Sequence, residues 1–169
     1  MLAGANYSVL DVGCGTGVLY NYMKEHAGDF NYTGIDLVGD MIDHARKKYP
    51  GVVFHVNSLE GLPESSFDYI VSSGIYNVRQ TVAAKSWEQF VLDDITRQFA
   101  KCRRGVVFNL LTDRADFNVE HLYYANAGHW LKNMQDRLSR FVSLDHAHGL
   151  YEFTLAVYKE DYILERDRR

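Results

Sequence analysis

The sequence predicts an α/β fold in which helices cover both faces of one mostly parallel sheet, a three-layer sandwich. Strand-like apolar runs alternate along the chain with helical stretches, and this alternation is typical of a parallel sheet. The last two strand candidates, Phe141–Asp145 and Tyr151–Tyr158, are joined by the short turn His146–Gly149. Only antiparallel neighbours can share so short a connection, because a parallel pair needs a crossover of about a dozen residues. We therefore expect seven strands that end in an antiparallel hairpin.

The first half of the predicted sheet alternates regularly between strands and helices. The predicted elements are strands Tyr7–Val12, Tyr32–Asp36 and Val52–Asn57, and helices Gly17–Glu25 and Gly39–Lys48. Pro50 ends the second helix, because proline cannot continue a helix.

The second half begins at a polar turn, Pro63–Ser66, and contains longer connections. The predicted elements before the hairpin are strands Tyr69–Ser73 and Val106–Leu111, and helices Trp87–Lys101 and His129–Arg137. Ser86 is the expected N-cap of the helix that begins at Trp87. The charged tail Ile163–Arg169 is expected to fray.

Composition bounds the class of protein. The 169 residues, of which 47% are hydrophobic, predict one domain over residues 1–169. A formal charge of −4 provides no basic field for a nucleic-acid backbone. No run approaches the roughly 20 apolar residues that span a membrane, and the start lacks the charged region of a secretory signal. With only two cysteines, the chain is expected to be cytoplasmic.

A glycine-rich turn, Val9–Gly17, follows the first strand and opens a helix. Glycines at such a turn allow a ligand to approach the main chain closely. The dinucleotide fingerprint would need glycine at Val18, and Asp11 would repel a pyrophosphate. The Walker pattern is absent as well. The remaining candidate is a nucleoside ligand that bears a cationic amino-acid tail and no phosphate.

Together with this turn, Asp36 at the end of the second strand and the segment Phe67–Tyr76 complete a set of motifs. Over Val9–Tyr158 the chain resembles the class I S-adenosylmethionine-dependent methyltransferases of small molecules. The resemblance implies a Rossmann-like fold, S-adenosylmethionine as cofactor and S-adenosylhomocysteine as product. It implies cofactor contacts from Asp11, Gly13, Cys14, Gly15, Gly17, Asp36, Leu37, Met41, Ser58, Leu59, Ser73 and Gly74.

Three of these contacts have distinct chemical roles in the resemblance. Asp36 accepts hydrogen bonds from two vicinal ribose hydroxyls, which suits a carboxylate. Leu37 and Met41 flank the adenine. Ser58 stands where the family commonly has Asp, and it is expected to contact the adenine amino group.

The predicted reaction is in-line methyl transfer to a small polar metabolite that contains a sugar, carboxylate or phosphate group. The candidates for orienting the acceptor or removing its proton are Tyr76, Asn77, Arg79 and His121. Arg79 would suit an anionic acceptor. No metal is predicted, because His146 and His148 lack a third ligand at motif spacing.

Two alternative functions remain beside methyl transfer, a non-catalytic cofactor-binding subunit and a nucleotide-dependent oxidoreductase. The first strand starts almost at the first residue, which leaves out the amino-terminal cap helices usual in the family. The chain could therefore be a non-catalytic cofactor-binding partner subunit, or its uncovered site could be completed in a homodimer. A nucleotide-dependent oxidoreductase is disfavoured by Asp11 and Val18, and methylation of nucleic-acid bases is disfavoured by Ser72–Ile75 in place of the signature of those enzymes.

Overall fold

A computed structural model describes residues 6–62 and 65–168 and confirms the predicted α/β fold. The strands are β1 Tyr7–Val12, β2 Phe30–Asp36, β3 Val53–Val56, β4 Phe67–Ser72, β5 Cys102–Thr112, β6 Tyr124–Ala125, β7 Val142–Asp145 and β8 Glu152–Tyr158. The helices are α1 Val18–His26, α2 Gly39–Lys48, α3 Ala84–Lys101, α4 Ala127–Arg137 and α5 Glu160–Arg166, and a single 3₁₀ turn spans Leu59–Gly61. Pro63 and Glu64 of the predicted turn lie outside the described residues.

The strands form one sheet in the order β3-β2-β1-β4-β5-β8-β7, with β6 paired to β5 at one end. Strand β8 runs antiparallel to both of its neighbours, so the predicted hairpin is confirmed. The chain leaves β1 towards β3 and then returns to place β4 on the other side of β1. In α/β sheets, ligands bind outside the carboxyl ends of the strands at such a switch point. The topology therefore directs attention to the ends of β1 and β4.

Two apolar clusters lie on opposite faces of the sheet. Successive strand residues point to opposite faces, and accordingly Val9 and Leu10 enter different clusters. The cluster with Val9 includes Ile42 of α2, and the cluster with Leu10 includes Ile95 of α3 and Trp130 of α4. Helices thus cover both faces, as the three-layer prediction requires.

Two helix predictions need correction. Helix α3 begins at Ala84 after Ala83, so Ser86 lies within the first turn and is not the N-cap. The tail does not fray over its whole length, because Glu160–Arg166 forms α5. Ile163 is buried there, and the Tyr162 hydroxyl accepts a hydrogen bond from Tyr69 at 2.9 Å. These contacts anchor α5 to the sheet, although the charged residues of the tail predicted an exposed and frayed end. No helix in ranges 6–62 and 65–168 is long and apolar enough to cross a membrane.

Asp68 joins the start of β4 to β1 and β5. Its carboxylate accepts hydrogen bonds from the Ser8 backbone amide at 2.8 Å and from Nε of Arg103 at 3.1 Å, and it forms an ion pair with Arg104 at 3.1 Å. Burial acts to raise the pKa of Asp68, but the hydrogen bonds from Arg103 and Ser8 and the positive charges of Arg104 and Arg103 together outweigh it and leave that pKa below its usual value. The charged carboxylate therefore stabilises the folded state.

We expect Asp68→Ala to lower the free energy of unfolding by about 2 kcal/mol at pH 7, because it removes bonds to a partly buried charge. Urea denaturation measures this difference. The full difference in unfolding free energy between wild type and Asp68→Ala should be present above pH ~4. It should shrink as the pH falls through the lowered folded-state pKa of Asp68. Asp43→Ala is the matched control, because Asp43 pairs with Arg46 on the exposed surface. Equal losses in the two variants would contradict the prediction.

Candidate functional site

A cavity of about 710 Å³ lies where the carboxyl ends of β1, β4 and β5 meet the start of β8. It is lined by Asp11, Gly13, Cys14, Val18, Leu19, Tyr22, Val71, Ser72, Ser73, Val107, Phe108, Asn109, His148, Leu150, Glu152 and Thr154. A second cavity of about 630 Å³, beside Phe30 and Val53, contains none of the predicted site residues. The first cavity is therefore the candidate site.

The glycine turn after β1 is tied to the end of β2. The backbone amides of Gly13 and Cys14 both donate to the Ile35 carbonyl, at 2.8 and 3.0 Å. Gly13 has a φ of 72°, and a Cβ atom there would lie 2.3 Å from Cγ2 of Ile75. Only glycine fits this position without backbone strain and without displacing the Ile75 side chain. The turn consequently brings Gly13 and Cys14 to the cavity and places the Gly15 amide against the carboxylate at the end of β2.

That carboxylate belongs to Asp36. Its Oδ2 accepts from the Gly15 amide at 2.9 Å, and its Oδ1 accepts from the Val38 amide at 2.8 Å. An ionised carboxylate has about four acceptor positions, so each oxygen keeps capacity for a further donor. The arrangement fits two vicinal ribose hydroxyls. Next to it, Leu37 and Met41 are 76% and 45% exposed and provide the apolar surface expected for an adenine.

Asp11 presents a second carboxylate, at the cavity wall. It is 2% exposed, and its Oδ2 accepts a hydrogen bond from the Tyr32 hydroxyl at 2.5 Å. Burial raises the pKa of Asp11 to about 6, the Tyr32 bond opposes that rise, and the negative charge of Asp36 adds to it. No ion pair in the described ranges includes Asp11. A ligand with a cationic amino group would supply the missing partner.

The remaining predicted cofactor contacts occupy different settings. Ser73 lines the cavity, and the Gly74 amide donates to Asn109 beside it at 2.7 Å. Ser58 is half-buried before the 3₁₀ turn, whereas Leu59 is 7% exposed and packs in the core. Cys14 lines the cavity, and burial raises the pKa of its thiol to about 12. This thiol is therefore protonated at neutral pH, in line with a contact through the backbone only.

The opposite wall contains polar residues that the sequence did not assign to the cofactor or the acceptor. Asn109 donates from Nδ2 to Oε2 of Glu152 at 2.8 Å, while its Oδ1 accepts from the Gly74 amide. His148, in the turn before β8, lines the same cavity. Its Nδ1 is buried and has no hydrogen-bond partner among the described residues. One sequence signal existed, because Asn109 interrupts the apolar run of β5.

The four predicted acceptor residues do not line this cavity. Tyr76 is 2% exposed, and its hydroxyl donates to Asp94 at 2.6 Å and accepts from Gln98 at 2.7 Å. Burial is the main reason that the pKa of Tyr76 is raised well above its usual value. The hydroxyl is thus engaged with α3 and stays protonated.

Arg79, Asn77 and His121 instead connect the loop after β4 to the segment before β6. The Arg79 guanidinium donates to three carbonyls, those of Leu122, Val82 and Glu120. The His121 carbonyl accepts from the Arg79 amide, and the Asn77 carbonyl accepts from the Tyr123 amide at 2.9 Å. These placements favour a supporting role for the loop. The assignment of all four residues to the acceptor stays a prediction.

The structure gathers no three His, Cys, Asp or Glu side chains into a possible metal site within residues 6–62 and 65–168. His146 packs its ring edge-on against Phe153, with the ring centroids 6.0 Å apart. The cavity itself is lined by the start of the glycine turn, the carboxylates of Asp11 and Glu152, the amide of Asn109 and the imidazole of His148.

Comparison with known proteins gives consistent matches. Residues 9–99 match the model of the family described as a methyltransferase domain. A relative from Mycobacterium tuberculosis, assigned as a methyltransferase, is 34% identical over 155 residues, which cover 90% of this chain and 93% of the relative.

Two solved structures illustrate the match in fold. The S-adenosylmethionine-dependent methyltransferase of Mesorhizobium loti has a TM-score of 0.63 at 14% identity, with 92% of each chain covered. Magnesium protoporphyrin IX methyltransferase from Synechocystis PCC 6803, solved with bound SAH, has a TM-score of 0.67 at 15% identity, over 92% of this chain and 75% of that one. At such identities these structures support the fold alone.

Proposed function

This chain belongs to the class I S-adenosylmethionine-dependent methyltransferases, and from that membership we propose that it methylates a small polar metabolite held in the cavity. The family assignment makes the protein an enzyme with S-adenosylmethionine as cofactor and S-adenosylhomocysteine as product. It removes the oxidoreductase alternative and favours the enzyme over a non-catalytic subunit.

The cofactor is proposed to bind across the glycine turn. Asp36 accepts from the ribose hydroxyls, and Asp11 pairs with the amino group of the methionine part. Leu37 and Met41 contact the adenine, which covers side chains that are otherwise exposed. When bound, the cofactor supplies a methyl group already activated on a sulfonium sulfur. The work of the protein is then mainly to hold the acceptor in line with that methyl group.

One observation carries the proposal. The same cavity is lined by Asp11 and Gly13 on the cofactor side and by Asn109 and Glu152 on the opposite side. A ligand on the glycine turn and a second molecule against β5 and β8 would thus meet within one cleft. A volume of about 710 Å³ is in the usual range of small-molecule sites, and sharing it with part of the cofactor favours a small acceptor.

The predicted acceptor residues are given a supporting role in this proposal. Arg79 and Asn77 would hold the loop after β4 in place, and Ser73 and Gly74 at its start would face the methionine part. The homodimer that would complete an uncovered site stays a prediction of the sequence. Val18, Tyr22 and Leu150 are exposed side chains of the cavity lining that such a partner would cover.

The proposal is tested by two measurements on the purified protein. Isothermal calorimetry should show one S-adenosylhomocysteine bound per chain. Incubation with S-adenosylmethionine and a panel of small polar metabolites should release S-adenosylhomocysteine, detected by mass spectrometry, in proportion to one methylated product. Absence of binding heat contradicts the cofactor site. Binding without turnover across amine, hydroxyl, carboxylate and phosphate acceptors contradicts the methyl transfer.

A further inference from the structure

We propose that Glu152 and His148 recognise the methyl acceptor, and that this acceptor donates a hydrogen bond and has no negative charge. The acceptor would present an amine or hydroxyl group to the Glu152 carboxylate, with His148 Nδ1 as the second polar contact. This inference rests on the proposed methyl transfer and names the class of acceptor for the same cavity. It also assigns acceptor contacts to two residues that sequence motifs did not indicate.

The charge of the cavity wall is the first argument. Its lining contains the carboxylates of Asp11 and Glu152 and no lysine or arginine among the residues that the structure describes. Arg79, the cation expected to hold an anionic acceptor, is bonded to three backbone carbonyls outside the cavity. A phosphate or carboxylate bound against β8 would face the Glu152 carboxylate, with no cationic side chain of the described lining beside it. An amine or hydroxyl group in this space would instead face hydrogen-bond acceptors.

The orientation of Glu152 is the second argument. The Gly74 amide can only donate, so Asn109 must turn its Oδ1 towards Gly74 and its Nδ2 towards Glu152. Oε2 of Glu152 therefore accepts from Nδ2 of Asn109, whose orientation is fixed, while Oε1 has no hydrogen-bond partner in the described part of the chain. Glu152 is thus a carboxylate held in position beside the cavity with one oxygen available. It is linked through Asn109 to Gly74, at the loop predicted to face the cofactor.

His148 supplies the third argument. A buried polar atom without a partner costs free energy unless a ligand completes it. Nδ1 of His148 is such an atom, and the half-buried ring lines the same cavity as Glu152. Both residues line the cavity, so an amine or hydroxyl bound there is the proposed partner of Glu152 and of the imidazole, which can accept or donate a hydrogen bond.

Three probes of matched size test the inference: benzylamine, benzyl alcohol and benzoate. They are offered at equal concentration to protein saturated with S-adenosylhomocysteine, and saturation-transfer NMR reports which of them bind. We expect signals from the amine and the alcohol and none above background from benzoate. A benzoate signal equal to or larger than that of benzylamine overturns the inference, and so does the absence of signal from all three.

Variants locate the contacts. Glu152→Gln should weaken benzylamine binding about tenfold, because it removes a charge-assisted hydrogen bond. Glu165→Gln is the matched control on the exposed surface of α5. In protein labelled with ¹⁵N-histidine, the Nδ1 resonance of His148, assigned with His148→Gln, should shift on addition of benzylamine. Unchanged binding by Glu152→Gln, or an unmoved Nδ1 resonance, contradicts the inference.

The two proposals fail separately. If wild-type protein binds no S-adenosylhomocysteine, the proposed function itself is wrong. If S-adenosylhomocysteine binds normally to the wild type and to Glu152→Gln but benzoate is preferred, only the acceptor class is wrong.

Discussion

The Asp36→Ala substitution is expected to reduce the affinity for S-adenosylmethionine by about a hundredfold. The carboxylate holds one backbone amide on each oxygen and keeps capacity to accept from two ribose hydroxyls. A hydrogen bond to a charged group contributes about 1.5–3 kcal/mol, so losing two of them removes about 3 kcal/mol of binding free energy. That energy corresponds to about a hundredfold in the dissociation constant.

Calorimetric titration with S-adenosylmethionine measures this loss, and Asp40→Ala is its matched control. Asp40 carries the same charge in the first turn of α2 and is exposed. Long-range electrostatics would therefore be changed in both variants, whereas the ribose contacts would be lost in one. Thermal unfolding should confirm that both variants remain folded at the titration temperature. Undiminished affinity in Asp36→Ala, or an equal loss in Asp40→Ala, would contradict the proposed ribose contact.

Much of the cofactor half of the site follows from local sequence. Strand β1 and helix α2 have the bounds that their patterns predict, Tyr7–Val12 and Gly39–Lys48. Between them lie the glycine turn and Asp36, whose proximity follows from the parallel pairing of β1 with β2. A motif confined to consecutive elements can be located from the sequence, because neighbouring strands fix which residues meet.

The acceptor half depends on contacts that no local pattern encodes. Asn109 meets Glu152 only because β8 pairs with β5 in a register that sets Leu111 opposite Glu152. Alternation along a strand indicates which face a side chain takes, but it does not indicate which residue of a distant strand lies beside it.

Tyr76 also shows the limit of local sequence patterns. It follows a strand end where a functional residue was expected, yet the tertiary fold turns its hydroxyl to Asp94 and Gln98 on α3. A position next to the site along the chain therefore does not establish that the side chain points into the site.

Asp11→Asn is expected to stabilise the cofactor-free protein by about 2 kcal/mol at pH 7.5 while it weakens S-adenosylmethionine binding about thirtyfold. Burial raises the pKa of Asp11 to about 6, so keeping it charged at pH 7.5 costs folding free energy. Asparagine removes the charge and can still accept the hydrogen bond of Tyr32. The same change removes the partner proposed for the cationic amino group, a loss of about 2 kcal/mol in binding.

The pH dependence separates this explanation from better packing of asparagine. For a carboxyl with a raised folded-state pKa, the cost is fully present above pH ~6 and disappears below pH ~4, where Asp11 is protonated in both states. The unfolding free energies of wild type and Asp11→Asn, measured with urea from pH 7.5 to 4, should therefore converge as the pH falls. A free-energy difference between the two proteins that is constant with pH would assign the stabilisation to packing. A lower stability of Asp11→Asn at pH 7.5 would show that the buried charge has a partner in the free protein. A cost of this kind in the free enzyme is the expected consequence of a buried carboxylate that is kept charged for a cationic ligand.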